Sequence, residues 1–211
     1  MFEAFGITLL GVMAAQAAPG PNLVAVASVG LAQGRVGALG VVTGVATGML
    51  VWATGVALGL GAVLEAYPLS LVAMKLVGGG YLLWLGVRAI RAAWRSEAVT
   101  IRAADQHLSL FQAWRRGLIV ILTNPKAALM WAAVAAYLFG AGLSAIEVAL
   151  FGPVAMVSAL LIYGTYGLLF SSGFAMRGYR RFSRAVEAMF GAVFTGLGAT
   201  LMLDGVRWFR S

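Results

Sequence analysis

Asn124, Pro125 and Lys126 stand side by side inside an apolar run from about Leu118 to Gly140. An amide, a ring without an N–H and an ammonium are costly groups to place there. Proline removes one backbone hydrogen bond and collides with the preceding turn. A charge near the centre of a bilayer costs at least ~2.5–3.5 kcal/mol. Yet the order of these residues suits the start of a helix. Asn124 fits the N-cap, Pro125 the first helical position, and Lys126 adds positive charge beside unpaired N–H groups. The chemistry on offer is capture of an anion such as a carboxylate at the positive end of a half-helix that faces the protein interior. The competing reading is a proline kink with Lys126 snorkelling to the cytoplasmic face. A second cluster, Pro19-Gly20-Pro21-Asn22, interrupts the first apolar run in a similar way.

The elements that must position these clusters are membrane spans. The chain of 211 residues is 62% hydrophobic and 10% charged, with a mean hydropathy of +0.93. Those values lie outside the soluble range and predict a polytopic membrane protein. No charge falls between Glu3 and Arg35, between Arg35 and Glu65, or between Glu147 and Arg177. Each interval exceeds the ~20 residues that a helix needs to cross a bilayer.

Six spans are expected, at about Phe5–Leu31, Val36–Leu64, Leu69–Ile90, Leu118–Gly140, Ala145–Gly173 and Glu187–Trp208. The third starts after Pro68. Glycines three or four apart in the second (Gly37, Gly40, Gly44, Gly48, Gly55, Gly59) bare one face for close helix approach. The fold class is therefore all-α, with two inverted three-helix repeats whose first and fourth helices are broken. Residues 1–93 make the first repeat, 94–113 a cytoplasmic connecting segment, and 114–211 the second repeat. Gly86-Val87-Arg88 and Gly205-Val206-Arg207 close the two halves in similar fashion.

Lys and Arg bias sets the orientation. Connections after the odd spans hold Arg35; Arg88, Arg91, Arg95, Arg102, Arg115 and Arg116; and Arg177, Arg180, Arg181 and Arg184. Connections after spans two and four hold Glu65 and Glu147 and no basic residue. Both termini are placed outside, against the bias of Arg207 and Arg210. At ~1.5 Å per residue, Asn22 and Asn124 lie about 14 and 12 Å from the cytoplasmic ends of their spans. Two breaks at one depth argue for a shared polar cavity, since irregular backbone in mid-bilayer must be buried in protein or line a cavity.

Other function classes are disfavoured. Cysteine is absent and His107 is the single histidine, so no cofactor or metal is expected. The net charge of +8 sits at span ends, which argues against nucleic acid. Ala14-Ala15-Gln16-Ala17-Ala18 resembles a signal-peptide cleavage site, but Glu3 and the lack of Lys or Arg before it argue for a retained span. Ser158, Ser171 and Ser172 have no base in view, so an enzyme is not expected. A non-transporting subunit would have no use for two polar breaks at one depth.

Several motifs together are similar to one known family. They are Ala18-Pro19-Gly20-Pro21-Asn22; Gly30-Leu31-Ala32-Gln33-Gly34; Gly37, Gly44 and Gly48 followed by Val51-Trp52; Gly59-Leu60; Lys75, Gly78 and Tyr81-Leu82-Leu83-Trp84-Leu85-Gly86; and Asn124-Pro125-Lys126-Ala127. The chain resembles the bacterial LysE/RhtB-type amino-acid exporters, through all of the first half and into span four. The resemblance implies an inner-membrane exporter of amino acids or close derivatives, driven by the proton motive force. It adds weight to Pro19, Pro21, Asn22, Asn124, Pro125 and Lys126 as site residues. The branch that exports arginine and lysine carries acidic residues where this chain has Met49 and Met130, which favours a neutral substrate of the homoserine/threonine kind. Ala136-Tyr137-Leu138-Phe139 replaces a Pro-Gln-Phe common in relatives.

The expected transport site comprises Pro19, Gly20, Pro21, Asn22, Gly48, Lys75, Tyr81, Asn124, Pro125, Lys126 and Tyr163. Lys75 is read first as a snorkelling anchor, and Trp84 as an interfacial or packing residue. Gln16 is read as an interhelical hydrogen bonder, with a polar contact to the cavity as the alternative. No acidic residue falls at mid-depth to carry a proton; Glu187 and Asp204 are the nearest candidates. Expected partners are a small amino acid and the lipid bilayer, with a homodimer as an open arrangement. Export of another small solute or cation is the alternative function.

Overall fold

A computed structural model describes residues 1–60, 63, 66–67, 69–95, 102–104, 107–171 and 173–208. Glu65, Pro68 and Arg210, used above to set span limits and orientation, lie outside the described residues, as do the side chains of Arg177, Arg180, Arg181, Arg184 and Glu187. The described residues form an all-helical bundle without strands: α1 (Phe2–Ala17), α2 (Pro21–Gly55, continued by a π-helical turn Val56–Leu60), α3 (Leu69–Arg95), α4 (Leu110–Thr123), α5 (Pro125–Gly140), α6 (Ala145–Phe170) and α7 (Gly173–Trp208).

Among the described residues, Pro21–Gly59 and Ala145–Phe170 are each long and apolar enough to cross a membrane. The pair α4 and α5, bent by 61° at Asn124, qualifies as one further broken span. α1 is a shorter apolar helix. α3 ends at Arg95, two residues past the expected end of the first repeat, and α4 starts four residues before the expected start of the second. The basic segment 177–184, expected as a connection, is helical: α7 runs from Gly173 without a break.

α2 is not one rod. Gly34 adopts φ 70° and ψ −161°, a backbone region open in practice only to glycine. A Cβ placed on Gly30 would sit 3.4 Å from the Ala38 Cβ. Eight residues of straight helix would hold those positions about 12 Å apart. The chain therefore folds back at Gly34, between the residues where the first two spans were separated.

The arms then pack where side chains are smallest. A Cβ on Gly44 would run into the Trp114 carbonyl, and one on Gly117 into the Val41 carbonyl. The two backbones of α2 and α4 are thus in direct contact, the arrangement that small residues permit between membrane helices. α3 packs mainly against α7, and α2 against both α4 and α6. Phe5 of α1 meets Phe151 of α6 edge-on, with ring centroids 5.2 Å apart.

Candidate functional site

Each of the three prolines at the breaks removes an N–H, and each time a side chain from elsewhere takes the carbonyl left over. Pro125 cannot bond to the Ile121 carbonyl, which accepts from Trp52 Nε1 at 3.2 Å beside a longer bond of 3.4 Å from the Asn124 backbone N–H. Pro21 cannot reach the Ala17 carbonyl, which accepts from the Tyr166 hydroxyl at 2.8 Å. Pro19 cannot reach the Ala15 carbonyl, which accepts from Lys126 Nζ at 3.0 Å. In apolar surroundings a carbonyl without a donor is costly, so these three donors hold the breaks open as fixed structure.

Asn124 caps α5 as its position suggests: its Oδ1 accepts from the Lys126 backbone N–H at 3.0 Å. Its side-chain amide also reaches the other break, donating to Asn22 Oδ1 at 3.3 Å. Asn22 Nδ2 donates in turn to the Tyr163 hydroxyl at 3.2 Å. Asn22, Asn124 and Tyr163 are all buried. Residues 102 and 141 positions apart in sequence thus share one polar chain in a largely apolar core.

Two chambers meet at this chain. The larger, about 820 Å³, is lined by residues 18–21 of the first break, by Asn124, Pro125, Lys126 and Leu129, and by one face of α3. That face presents Tyr81, Trp84, Arg88, Arg91 and Arg95. Among the described residues no Asp or Glu lines it, so the charged groups of its wall are all positive. Tyr81 stacks on Trp84 with centroids 5.5 Å apart, and the Arg88 guanidinium lies 5.3 Å from the Trp84 ring. The smaller chamber, about 20 Å³, lies on the other side of Lys126. Its lining includes Gln16, Asn22, Met49, Met130 and Tyr163. Asn124 and Lys126 line both.

The sequence-derived residues divide accordingly. Pro19, Gly20, Pro21, Asn22, Asn124, Pro125, Lys126, Tyr81 and Tyr163 come together at the two chambers. Gly48 and Lys75 do not. Gly48 lies in the α2–α4 seam, where a Cβ would strike the Ile121 side chain. Lys75 lies beside Gly140 at the end of α5, its Nζ 3.4 Å from where a Gly140 Cβ would be. A cation suits that negative helix terminus. Lys126 is partly buried and its Nζ is turned to the C-terminal turn of α1.

Beside Tyr81, which was expected at the site, the lining of the large chamber adds residues of α3 that the sequence shows as a pattern. Tyr81, Trp84, Arg88, Arg91 and Arg95 recur at intervals of three and four, one continuous stripe on a helix. The arginines were read for orientation alone. Trp52 and Tyr166 could not be paired with the carbonyls they serve, because the partner of an orphaned carbonyl is a tertiary matter.

The model of the LysE type translocator family matches residues 13–205. The threonine efflux protein of Escherichia coli K12 is 30% identical over 190 residues, covering 88% of this chain and 91% of that protein. The homoserine/homoserine lactone efflux protein of Salmonella typhimurium is 30% identical over 116 residues, 55% of each chain. An uncharacterized membrane protein of Pseudomonas aeruginosa is 37% identical over 134 residues, 60% of each chain. No solved structure matches. With its paired helix breaks and apolar helices, the chain belongs to the LysE type translocators, a family of amino-acid efflux transporters and not of enzymes.

Proposed function

We propose that this protein exports small neutral amino acids across the bacterial inner membrane by alternating access, driven by the proton motive force. The observation that carries the proposal is the hydrogen bond from Asn124 to Asn22, which joins two interrupted helices between two chambers. Paired broken helices that meet in this way are a common basis of transporter binding sites.

The substrate carboxylate binds at the positive N-terminal end of α5, paired with the Lys126 ammonium. The arginine face of the large chamber draws the carboxylate in from the cytoplasm. Met49 and Met130 line the small chamber, and among the described residues no acidic one lines either chamber. A second positive charge on the substrate therefore has no partner, which favours a neutral side chain. Similarity to a threonine efflux protein supports the same choice.

Six spans, arranged as inverted repeats 1–93 and 114–211 with both termini outside, form the moving halves. The packing of α3 on α7 and of α2 on α6 supports this division, since it pairs third span with third and second with second. Rocking of the halves about the two breaks exposes the chambers to each side in turn.

Counterflow in proteoliposomes against radiolabelled threonine, homoserine, leucine and valine tests the proposal. Exchange of at least one is expected, together with its loss in Lys126→Ala and Asn124→Ala. If both variants exchange as fast as the parent, the binding site is misplaced; if the parent exchanges none, the substrate class is wrong.

A further inference from the structure

Gln16 lines the small chamber and carries a buried polar atom that has no partner among the described residues. Gln16 is 1% exposed. Its Nε2 donates to the Ala155 carbonyl at 3.2 Å and lies 4.0 Å from Met49 Sδ. Among the described residues nothing donates a hydrogen bond to its Oε1. That bond to Ala155 fixes the amide, because turning it over would set oxygen against oxygen. A buried acceptor left without a donor is costly and rare in native folds.

Three further features define what such an acceptor would take. A cavity of about 20 Å³ has room for one group of water size and not for a whole amino acid. Leu23, Met49, Ala127 and Met130 make most of the wall apolar. Beside it α1 ends, and the carbonyls of a helix C-terminus favour positive charge. One of them, that of Ala15, already accepts from an ammonium, Lys126 Nζ, at 3.0 Å. It is adjacent in sequence to Gln16.

We propose that the small chamber is the subsite for the substrate's α-ammonium, with Gln16 Oε1 as its acceptor. On entry the substrate ammonium competes with that of Lys126 for the C-terminal carbonyls of α1, and Lys126 turns to the carboxylate. This inference rests on the amino-acid reading above and deepens it. One zwitterion then bridges the two broken helices, its carboxylate at the start of α5 and its ammonium at the end of α1. Gln16 is the residue that separates amino acids from plain carboxylic acids, which would fit the large chamber but leave Oε1 unpartnered.

The probes are valine and 3-methylbutanoate, which is valine without its amine. In the parent protein, valine should compete for counterflow at least tenfold better. Gln16→Met, apolar and of similar length, should reduce that preference about tenfold or more, as expected for losing a hydrogen bond to a charged group. An unchanged preference overturns the proposal. So does loss of a threonine-over-valine preference alone, because the acceptor would then read a side-chain hydroxyl. Thermal shift of the detergent-solubilised parent requires no variant: valine should raise the melting temperature and 3-methylbutanoate should not. Equal shifts overturn the subsite. Failure of the transport reading shows separately, as absence of exchange in the parent, while the shifts still decide the subsite.

Discussion

The side-chain amide of Asn124 donates to Asn22 Oδ1 at 3.3 Å, across 102 positions of sequence. Each asparagine flanks a proline break, so the bond joins the two interruptions to each other. Both residues are buried, and truncating either leaves the other without its partner. Asn22→Ala and Asn124→Ala are each expected to destabilise the protein by about 1–3 kcal/mol, the cost of a buried unsatisfied group. The double variant should cost less than the two together. Thermal unfolding in detergent measures this; strict additivity would mean that the asparagines do not act as a pair.

Trp52 and Pro125 form a second dependent pair. The indole N–H satisfies the Ile121 carbonyl that the proline cannot reach. Trp52→Phe keeps most of the ring and removes the donor, so transport should fall severalfold while the fold persists. Pro125→Ala offers the carbonyl an N–H within its own helix. In that background Trp52→Phe should do little to transport. An equal loss in both backgrounds would separate Trp52 from the break.

The arginine stripe acts at a distance. Arg88, Arg91 and Arg95 are exposed at the wall of the large chamber. Neutralising all three to Gln should raise KM for a neutral amino acid severalfold and leave kcat nearly unchanged. The salt dependence of the parent's KM should flatten in the variant, because steering by exposed charge is screened beyond about 10 Å at 0.1 M salt. A fall in kcat at constant KM would put the arginines in the transport cycle itself.

Charge selectivity should be convertible at the small chamber. Met49 is 2% exposed and Met130 5%, and both line that chamber. Met130→Asp supplies a carboxylate where a cationic side chain lacks a partner. Lysine exchange should appear in proteoliposomes while exchange of neutral amino acids declines. No lysine exchange in a well-folded Met130→Asp protein would remove the counter-charge argument.

Lys75 separates the two intramembrane lysines. It sits beside Gly140 at the C-terminal end of α5 and is not among the residues that line the two chambers. Lys75→Ala should leave KM within about twofold of the parent, whereas Lys126→Ala should abolish exchange. These limits correspond to the difference between a partly exposed surface charge and a charged hydrogen bond. A large KM change in Lys75→Ala would reopen its place in the pathway.

By itself the sequence determined the helical class, the two proline breaks and the residues beside them. Those follow from local rules: proline has no N–H to give, asparagine caps, and an uncharged run longer than a bilayer is thick becomes a span. Gly34 also lay where the chain had to turn. Tertiary structure decided the rest. Gly48 lies in the seam between α2 and α4, which the sequence could not place, because a glycine face reads the same whether it faces a cavity or another backbone, as Gly44 does at the Trp114 carbonyl. Lys126 found the Ala15 carbonyl, and Trp52 and Tyr166 found theirs, because an orphaned carbonyl specifies that a donor must come without specifying from where. Gln16 read as an interhelical contact, and one end of its amide is that. Only the packing of α1 against α6 left the other end without a partner among the described residues, on a side chain that lines a chamber of one group's size.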